Sequence, residues 1–210
     1  MKHGPENQAL IDAMGHRNWV GGLWDEMGSL QFEFLISKGL QKEHVLLDIA
    51  CGSMRAGRLF IPYLDPGNYL GIEKHEPILR SGLEQELSAQ VVSEKRPEFV
   101  ISDRFEFERF SKRPDFCIAQ SLFTHLSPSD IKLCLSNLGS FAQSGCRLYA
   151  TFFEARWPKL YAFTASHSHA RFAYTRRQML ALGRNAGWSA EYIGDWKHPR
   201  AQQMVLYTKP

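Results

Sequence analysis

Four apolar runs of strand length each end in a polar residue that could bind a ligand: Asp48, Glu73, Asp103 and Gln120, the last followed by Ser121. The first run opens into a tight loop, "LLDIACGSMRAG" from Leu46 to Gly57. Gly52 lets the backbone approach a ligand closely. A helix expected to begin near Met54 or Arg55 would add unpaired amide groups and the positive end of its dipole, which suits a carboxylate or a phosphate. A dinucleotide fingerprint does not fit. With Gly52 as its second glycine, Ala50 becomes the first and Arg55 the third, where a long side chain blocks close helix packing. The Gly-Lys-Ser/Thr ending of a P-loop is absent as well. Glu73 instead has the placement of a carboxylate that accepts hydrogen bonds from ribose hydroxyls, and Asp103 that of an acceptor for an adenine amino group.

His125, in "AQSLFTHL", lies just beyond the fourth strand, and imidazole titrates in the range a general base needs. The alternative is that His125 caps or orients the following helix. Glu154, His16 and His198 are reserve candidates for the same role.

These groups need a scaffold in which strands end side by side. Leu23, Met27, Leu30 and Phe34 share one helix face, predicting a helix over about Gly22 to Lys38 ahead of the first strand. From there "EHVLLDIA", "NYLGIE", "EFVIS", "DFCIAQ" and "CRLYATFFE" read as strands. "RAGRLFIPYL", "EPILRSGLEQELSAQ" and the run after "SPSD" read as the intervening helices. Ser127 is an N-cap with Pro128 behind it, and Ile131, Leu135, Leu138 and Ala142 line the face that helix buries. "TRRQ" at Thr175–Gln178 is a capping box for a last helix that Gly187 can end. "WSAEYIGD" and "QQMVLYTK" close the chain as an antiparallel strand pair. The pattern predicts an α/β, doubly wound, mostly parallel sheet of seven strands, in which ligands bind at the carboxyl ends of the strands.

Between the fifth strand and the last helix, "ARWPKLYAFTASHSHARFAY" is too long for a plain connection and rich in aromatics. This segment, about 155–174, reads as a substrate lid carrying Trp157, Tyr161, Phe163, Phe172 and Tyr174. Trp24 and Trp19 face it from the N-terminal segment, Trp19 only if it precedes the helix, as Gly21 and Gly22 allow. The rival reading has these aromatics packing loop and helix onto the sheet. His167 and His169 lack an accompanying carboxylate cluster and read as a solvated loop, so no metal is expected.

The chain has 210 residues, 44% of them hydrophobic, enough for one sizeable core, and a net charge of +3 gives no reason to expect nucleic acid or an anionic membrane as partner. Arg176, Arg177 and Arg184 read as a solvated helix face. Cys51, Cys117, Cys134 and Cys146 have no CxxC spacing, which predicts reduced thiols in a cytoplasmic protein. The first residues lack the apolar core of a leader peptide, and no run is long enough to span a membrane.

In combination, "VLLDIACGSMRAG", "YLGIEKH", "PDFCIAQSLFTHLSP" and "GCRLYATFFE" resemble the class I S-adenosylmethionine-dependent methyltransferases, from about Val45 to the C-terminus. The segment "HRNWVGGLWDEMG" is similar to the N-terminal helix of a bacterial subgroup. The resemblance implies S-adenosyl-L-methionine as cofactor, with Asp48, Ala50, Gly52 and Ser53 around its methionine part. It implies Glu73 on the ribose, with Lys74 in the same motif, Asp103 on the adenine, and Gln120 with Ser121 beside the sulfonium. The family usually carries glycine at the places of Ala50 and Met54. Met54 is expected in the first turn of the helix, with Gly52 alone providing the close approach.

The resulting expectation is an N-terminal helical cap (1–43) on a methyltransferase domain (44–210). It would transfer a methyl group to a small-molecule or sugar- or lipid-like acceptor, by O-methylation, with Trp19, Trp24, Glu154, Trp157, Tyr161 and His198 about the acceptor. The alternatives are a non-catalytic cofactor-binding or regulatory protein of the same fold, an RNA or protein methyltransferase, or a dehydrogenase. The N-terminal helix stripe serves a lid or a homodimer.

Overall fold

The apolar run before the loop is a strand, β1 (Leu46–Ile49), all four of whose residues are buried. It belongs to a computed structural model that describes residues 9, 11, 13–159, 161, 166 and 171–210. The chain divides into two compact units, 1–103 and 104–210.

The first unit opens with α1 (His16–Trp19) and α2 (Trp24–Ser37). After β1 come α3 (Gly57–Tyr63), β2 (Tyr69–Glu73), α4 (Glu76–Glu86), α5 (Ala89–Lys95) and β3 (Glu98–Ile101). Its strands are parallel in the order β3-β2-β1, with Asp48 opposite Gly71 and Glu73 opposite Ile101. β1 and β2 are buried along their whole length, which is why they read as unbroken apolar runs. The helix expected over "EPILRSGLEQELSAQ" is two helices. Leu87 is extended and the Ser88 hydroxyl accepts the Val91 N–H at 3.2 Å, so a serine starts a new helix inside the run.

The second unit holds β4 (Phe116–Ala119), α6 (Pro128–Phe141), β5 (Arg147–Glu154), β6 (Ala173–Tyr174), α7 (Arg176–Asn185), β7 (Ser189–Asp195) and β8 (Gln202–Thr208). The order is β4-β5-β8-β7, with β4 parallel to β5 and β8 antiparallel to both of its neighbours. Ser127 caps α6, and Thr175 with Gln178 forms the capping box of α7. β6 is a strand beyond the seven anticipated, pairing parallel with Phe153 and Glu154 at the end of β5. The strands are thus mostly parallel with an antiparallel pair at the C-terminus, a Rossmann-like arrangement. Among the described residues no helix is long and apolar enough to cross a membrane.

Candidate cofactor and active site

The loop after β1 is shaped by alternate left-handed residues: Ala50 at φ 63°, Gly52 at 58° and Met54 at 68°. It is tied to the neighbouring strand, since the Ala50 and Cys51 N–H groups both donate to the Ile72 carbonyl, at 2.8 and 3.1 Å. Met54 therefore does not lie in the first turn of a helix as expected, and Gly52 is not alone at positive φ. α3 starts at Gly57, so the helix end foreseen near Met54 or Arg55 is displaced. The reason is packing. A left-handed non-glycine residue costs on the order of 1–2 kcal/mol, whereas burying a methionine side chain yields roughly 1.5–3 kcal/mol. Met54 is fully buried, its sulfur close enough to Gly57 that a Cβ there would stand 2.9 Å away.

Two helices clamp this loop by close backbone approach. A Cβ at Gly82, on α4, would fall 2.4 Å from the Ser53 carbonyl group; one at Gly28, on α2, would fall 2.7 Å from the Arg55 oxygen. Arg55 adds a third hold, its Nη1 donating to the Val20 and Gly22 carbonyls at 3.2 and 3.0 Å. Ser53, fully buried, donates through Oγ to the His16 carbonyl at 3.4 Å.

Both carboxylates of this region are buried. Asp48 accepts the Tyr69 phenol proton at 2.9 Å, and burial pushes its carboxyl up to about 7, the Tyr69 hydrogen bond and the Arg55 charge opposing. Glu73 bridges two chain segments: Oε2 accepts from Gly52 N at 3.1 Å, and Oε1 from Lys74 N and His75 N, both at 2.9 Å. Burial raises its carboxyl above the ordinary value, against the pull of those three N–H groups and the Lys74 charge. A carboxylate has about four lone-pair directions, so three backbone bonds leave capacity for a ligand hydroxyl. Asp103, just past β3, is exposed, and Lys74 is half-buried.

Ahead of the loop, His16 and Trp24 are buried and their rings meet edge to face at 5.4 Å. His16 Nε2 lies 3.3 Å from Glu86, which also takes the Arg17 Nε–H at 2.7 Å. Burial lowers the His16 pKa, Glu86 raising it and Arg17 lowering it further. His16 Nδ1 and Trp24 Nε1 have no hydrogen-bond partner among the described residues. Trp19 ends α1, ahead of Gly21 and Gly22 at positive φ, so it precedes the helix that Trp24 begins.

In the second unit, Gln120, Ser121 and His198 come together with two residues the sequence did not single out, Thr151 and Gln202. Ser121 stands at φ 59° and donates its N–H to Thr151 Oγ1 at 2.7 Å. Thr151 Oγ1 donates to Gln202 Oε1 at 2.7 Å. Gln120 lies 2.8 Å from Ser121 Oγ and 3.1 Å from His198 Nε2. His125 is half-buried in the turn before α6, its backbone N–H donating to the Leu122 carbonyl at 2.9 Å.

The remaining candidates differ in setting. Glu154 is exposed and accepts the Tyr192 phenol proton. Trp157 is 70% exposed. Tyr161 packs on Phe172 and Tyr174 at 4.8 and 5.6 Å and exchanges hydrogen bonds with the Ala173 backbone, so these three aromatics build structure about β6. Phe163, His167 and His169 lie outside the described residues. Tyr69 and Arg55 were also missed as partners of this site. Tyr69 was legible only as a residue near the start of its strand, and Arg55 only as an obstacle to a dinucleotide motif.

No protein-family model matches the chain. Solved structures do. Magnesium protoporphyrin IX methyltransferase from Synechocystis PCC 6803 with bound SAM aligns at TM-score 0.65 and 12% identity, covering 100% of both chains. The glycopeptide N-methyltransferase MtfA aligns at 0.66 and 14%, covering 87% of this chain and 90% of that one. Human N-acetylserotonin methyltransferase in complex with SAM aligns at 0.67 and 12%, covering 100% of this chain and 60% of that one. With its strand order, its loop after β1 and these likenesses, the chain has the fold of the class I S-adenosylmethionine-dependent methyltransferases.

Proposed function

We propose that the protein is an S-adenosylmethionine-dependent methyltransferase acting on a small-molecule or sugar- or lipid-like acceptor, by O-methylation. The observation that carries this reading is the loop from Ala50 to Met54, with three residues in the left-handed region and joined to Glu73 through the Gly52 N–H. Met54 stands at positive φ where the family usually carries glycine, so the loop takes that shape without the glycine.

The residues suit the cofactor. Glu73 keeps acceptor capacity for ribose hydroxyls, Ala50, Gly52 and Ser53 supply backbone close to the methionine part, and Asp48 stands behind them. Lys74, Asp103, Gln120 and Ser121 complete the set. His16 Nδ1 and Trp24 Nε1, buried without partners among the described residues, are polar atoms of the kind a polar ligand satisfies. Residues 1–43 act in this reading as a cap on the domain that follows, fastened by Arg55 on the Val20 and Gly22 carbonyls.

When bound, the cofactor supplies both the electrophilic methyl group and the leaving group. The chain's own task is alignment, worth on the order of 7–11 kcal/mol. His125 takes the proton of an acceptor hydroxyl on an imidazole nitrogen, a contribution of roughly 10²- to 10⁴-fold. Trp19, Trp24, Trp157, Glu154 and His198 are the residues assigned to contact with the acceptor. We take the partner to be a small molecule rather than nucleic acid, for which a net charge of +3 gives no support. Four buried cysteines, free of disulfides, suit the cytoplasm.

Calorimetry with S-adenosylmethionine and S-adenosylhomocysteine tests the reading. Binding of both, with product formed from at least one hydroxyl acceptor, is the expected result. Binding of neither would sink the cofactor assignment, and binding without turnover across acceptors would return the protein to a regulatory role.

A further inference from the structure

His198 lies in the loop between β7 and β8, buried, with its ring 5.4 Å from that of Trp196. Its Nδ1 accepts the Arg200 backbone N–H at 3.0 Å, so that nitrogen carries no proton. A neutral imidazole then holds its proton on Nε2, which is a donor. Nε2 faces the end of the Gln120 amide at 3.1 Å. Two N–H groups cannot bond to each other, so the Gln120 atom there is the carbonyl oxygen.

That orientation lets the neighbouring bonds close. The Gln120 oxygen also accepts from the Ser121 hydroxyl, 2.8 Å away. Ser121 Oγ accepts from Gln202 Nε2 at 2.7 Å, Gln202 Oε1 accepts from Thr151 Oγ1 at 2.7 Å, and Thr151 Oγ1 accepts the Ser121 N–H at 2.7 Å. The Ser121 hydroxyl also has Gln202 Oε1 within reach at 3.1 Å, longer than its 2.8 Å contact with Gln120, and the direction of the chain is set by a backbone amide, that of Arg200. Ser121 pays for its place with a left-handed φ of 59°. Glycine would relax that backbone but remove the hydroxyl that joins Gln120 to Gln202, and strain of this kind persists where the surroundings over-determine it.

We propose that His198 is a positioning residue for Gln120. It holds the Gln120 carbonyl oxygen toward the protein, so that Gln120 meets its ligand through the amide N–H groups, as a donor to a group carrying lone pairs such as a carbonyl, carboxylate or hydroxyl oxygen. This rests on the reading that the end of β4 belongs to the methyltransferase site. It removes His198 from the candidates for general base, because a ring whose Nδ1 is engaged as acceptor and whose Nε2 is already protonated has no nitrogen ready to take a proton.

Long-range proton–nitrogen NMR on the intact chain reads the tautomer directly. At pH 7 His198 is expected to be neutral, with Nε2 protonated and Nδ1 bare; a proton on Nδ1, or a charged ring, overturns the proposal. Two variants probe the consequence with S-adenosylhomocysteine as ligand in calorimetry. His198→Gln keeps a donor near the place of Nε2 and His198→Ala deletes it. The alanine variant should bind roughly fivefold more weakly, as loss of one hydrogen bond implies, and the glutamine variant within about twofold of wild type. Equal weakening of both variants overturns positioning. A wild type that binds no S-adenosylhomocysteine overturns the methyltransferase reading instead, and positioning then stands or falls on the tautomer.

Discussion

The Tyr69 phenol donates to Asp48 Oδ2 at 2.9 Å, and both side chains are buried on neighbouring parallel strands, Tyr69 at the start of β2 and Asp48 toward the end of β1. Asp48 titrates near 7 because burial outweighs that hydrogen bond and the Arg55 charge. In the unfolded chain an aspartate titrates near about 3.9. Between those values the folded protein holds a proton that the unfolded chain has lost, so the Asp48 contribution is full below about pH 4 and is lost as pH rises through about 7. The expected measurement is a urea-unfolding stability in which wild type loses ground to Asp48→Asn across that window, by at most ~1.4 kcal/mol per pH unit. Tyr69→Phe removes a bond that lowers the Asp48 pKa and should move the loss to higher pH. A difference that does not change with pH across that window would show Asp48 ionised in the folded protein throughout.

Gly82 has no room for a side chain. Its Cβ would meet the Ser53 main chain at 2.4 Å, and main chain cannot swing aside as a flexible side-chain end would. Gly82→Ala should therefore destabilise by about 1–3 kcal/mol, as overpacking does, although alanine is the better helix former by roughly 1 kcal/mol. Because the displaced atoms are those of the loop, cofactor affinity should fall with stability. Unchanged unfolding and unchanged affinity would mean that α4 does not hold the loop.

Ala50 and Met54 share a backbone strain and differ in what offsets it. Ala50 is half-buried and has only a methyl group to place, so Ala50→Gly should stabilise the protein by on the order of 0.5–1 kcal/mol despite glycine's greater freedom when unfolded. Met54→Gly relieves the same strain but empties a fully buried site, a loss of roughly 2–5 kcal/mol, so it should destabilise. Opposite signs in thermal or urea unfolding are the expected outcome. The same sign for both would show that packing at Met54 is not what keeps it left-handed.

The same pair shows what the sequence made legible. Polar residues closing apolar runs marked Asp48, Glu73 and Gln120 as strand ends, because strands buried on both faces leave little room for other patterns. Ser127 and Thr175 marked two helix starts through side-chain bonds that are local in the chain. Met54 was misjudged because local propensity knows the cost of its φ but not the burial that offsets it. Thr151 and Gln202 escaped notice because they meet only through the antiparallel register that sets Phe153 opposite Gln202. β6, at two residues, is too short for any periodicity to register.

His125 carries the chemical step in the proposed mechanism, and its neighbours make the test a clean one. The helix that follows is capped by Ser127, whose Oγ accepts the Asp130 N–H, so α6 does not depend on the imidazole for its start. Replacing His125 should therefore cost catalysis far more than folding. His125→Ala is expected to lower turnover of a hydroxyl acceptor by roughly a hundredfold or more, the range of a lost general base, with S-adenosylmethionine affinity unchanged in calorimetry. The loss should shrink as pH rises toward the acceptor's own pKa, since an acceptor that ionises unaided needs no base. A decrease under about threefold, or one that is the same at every pH, would make His125 a structural residue of the turn after β4.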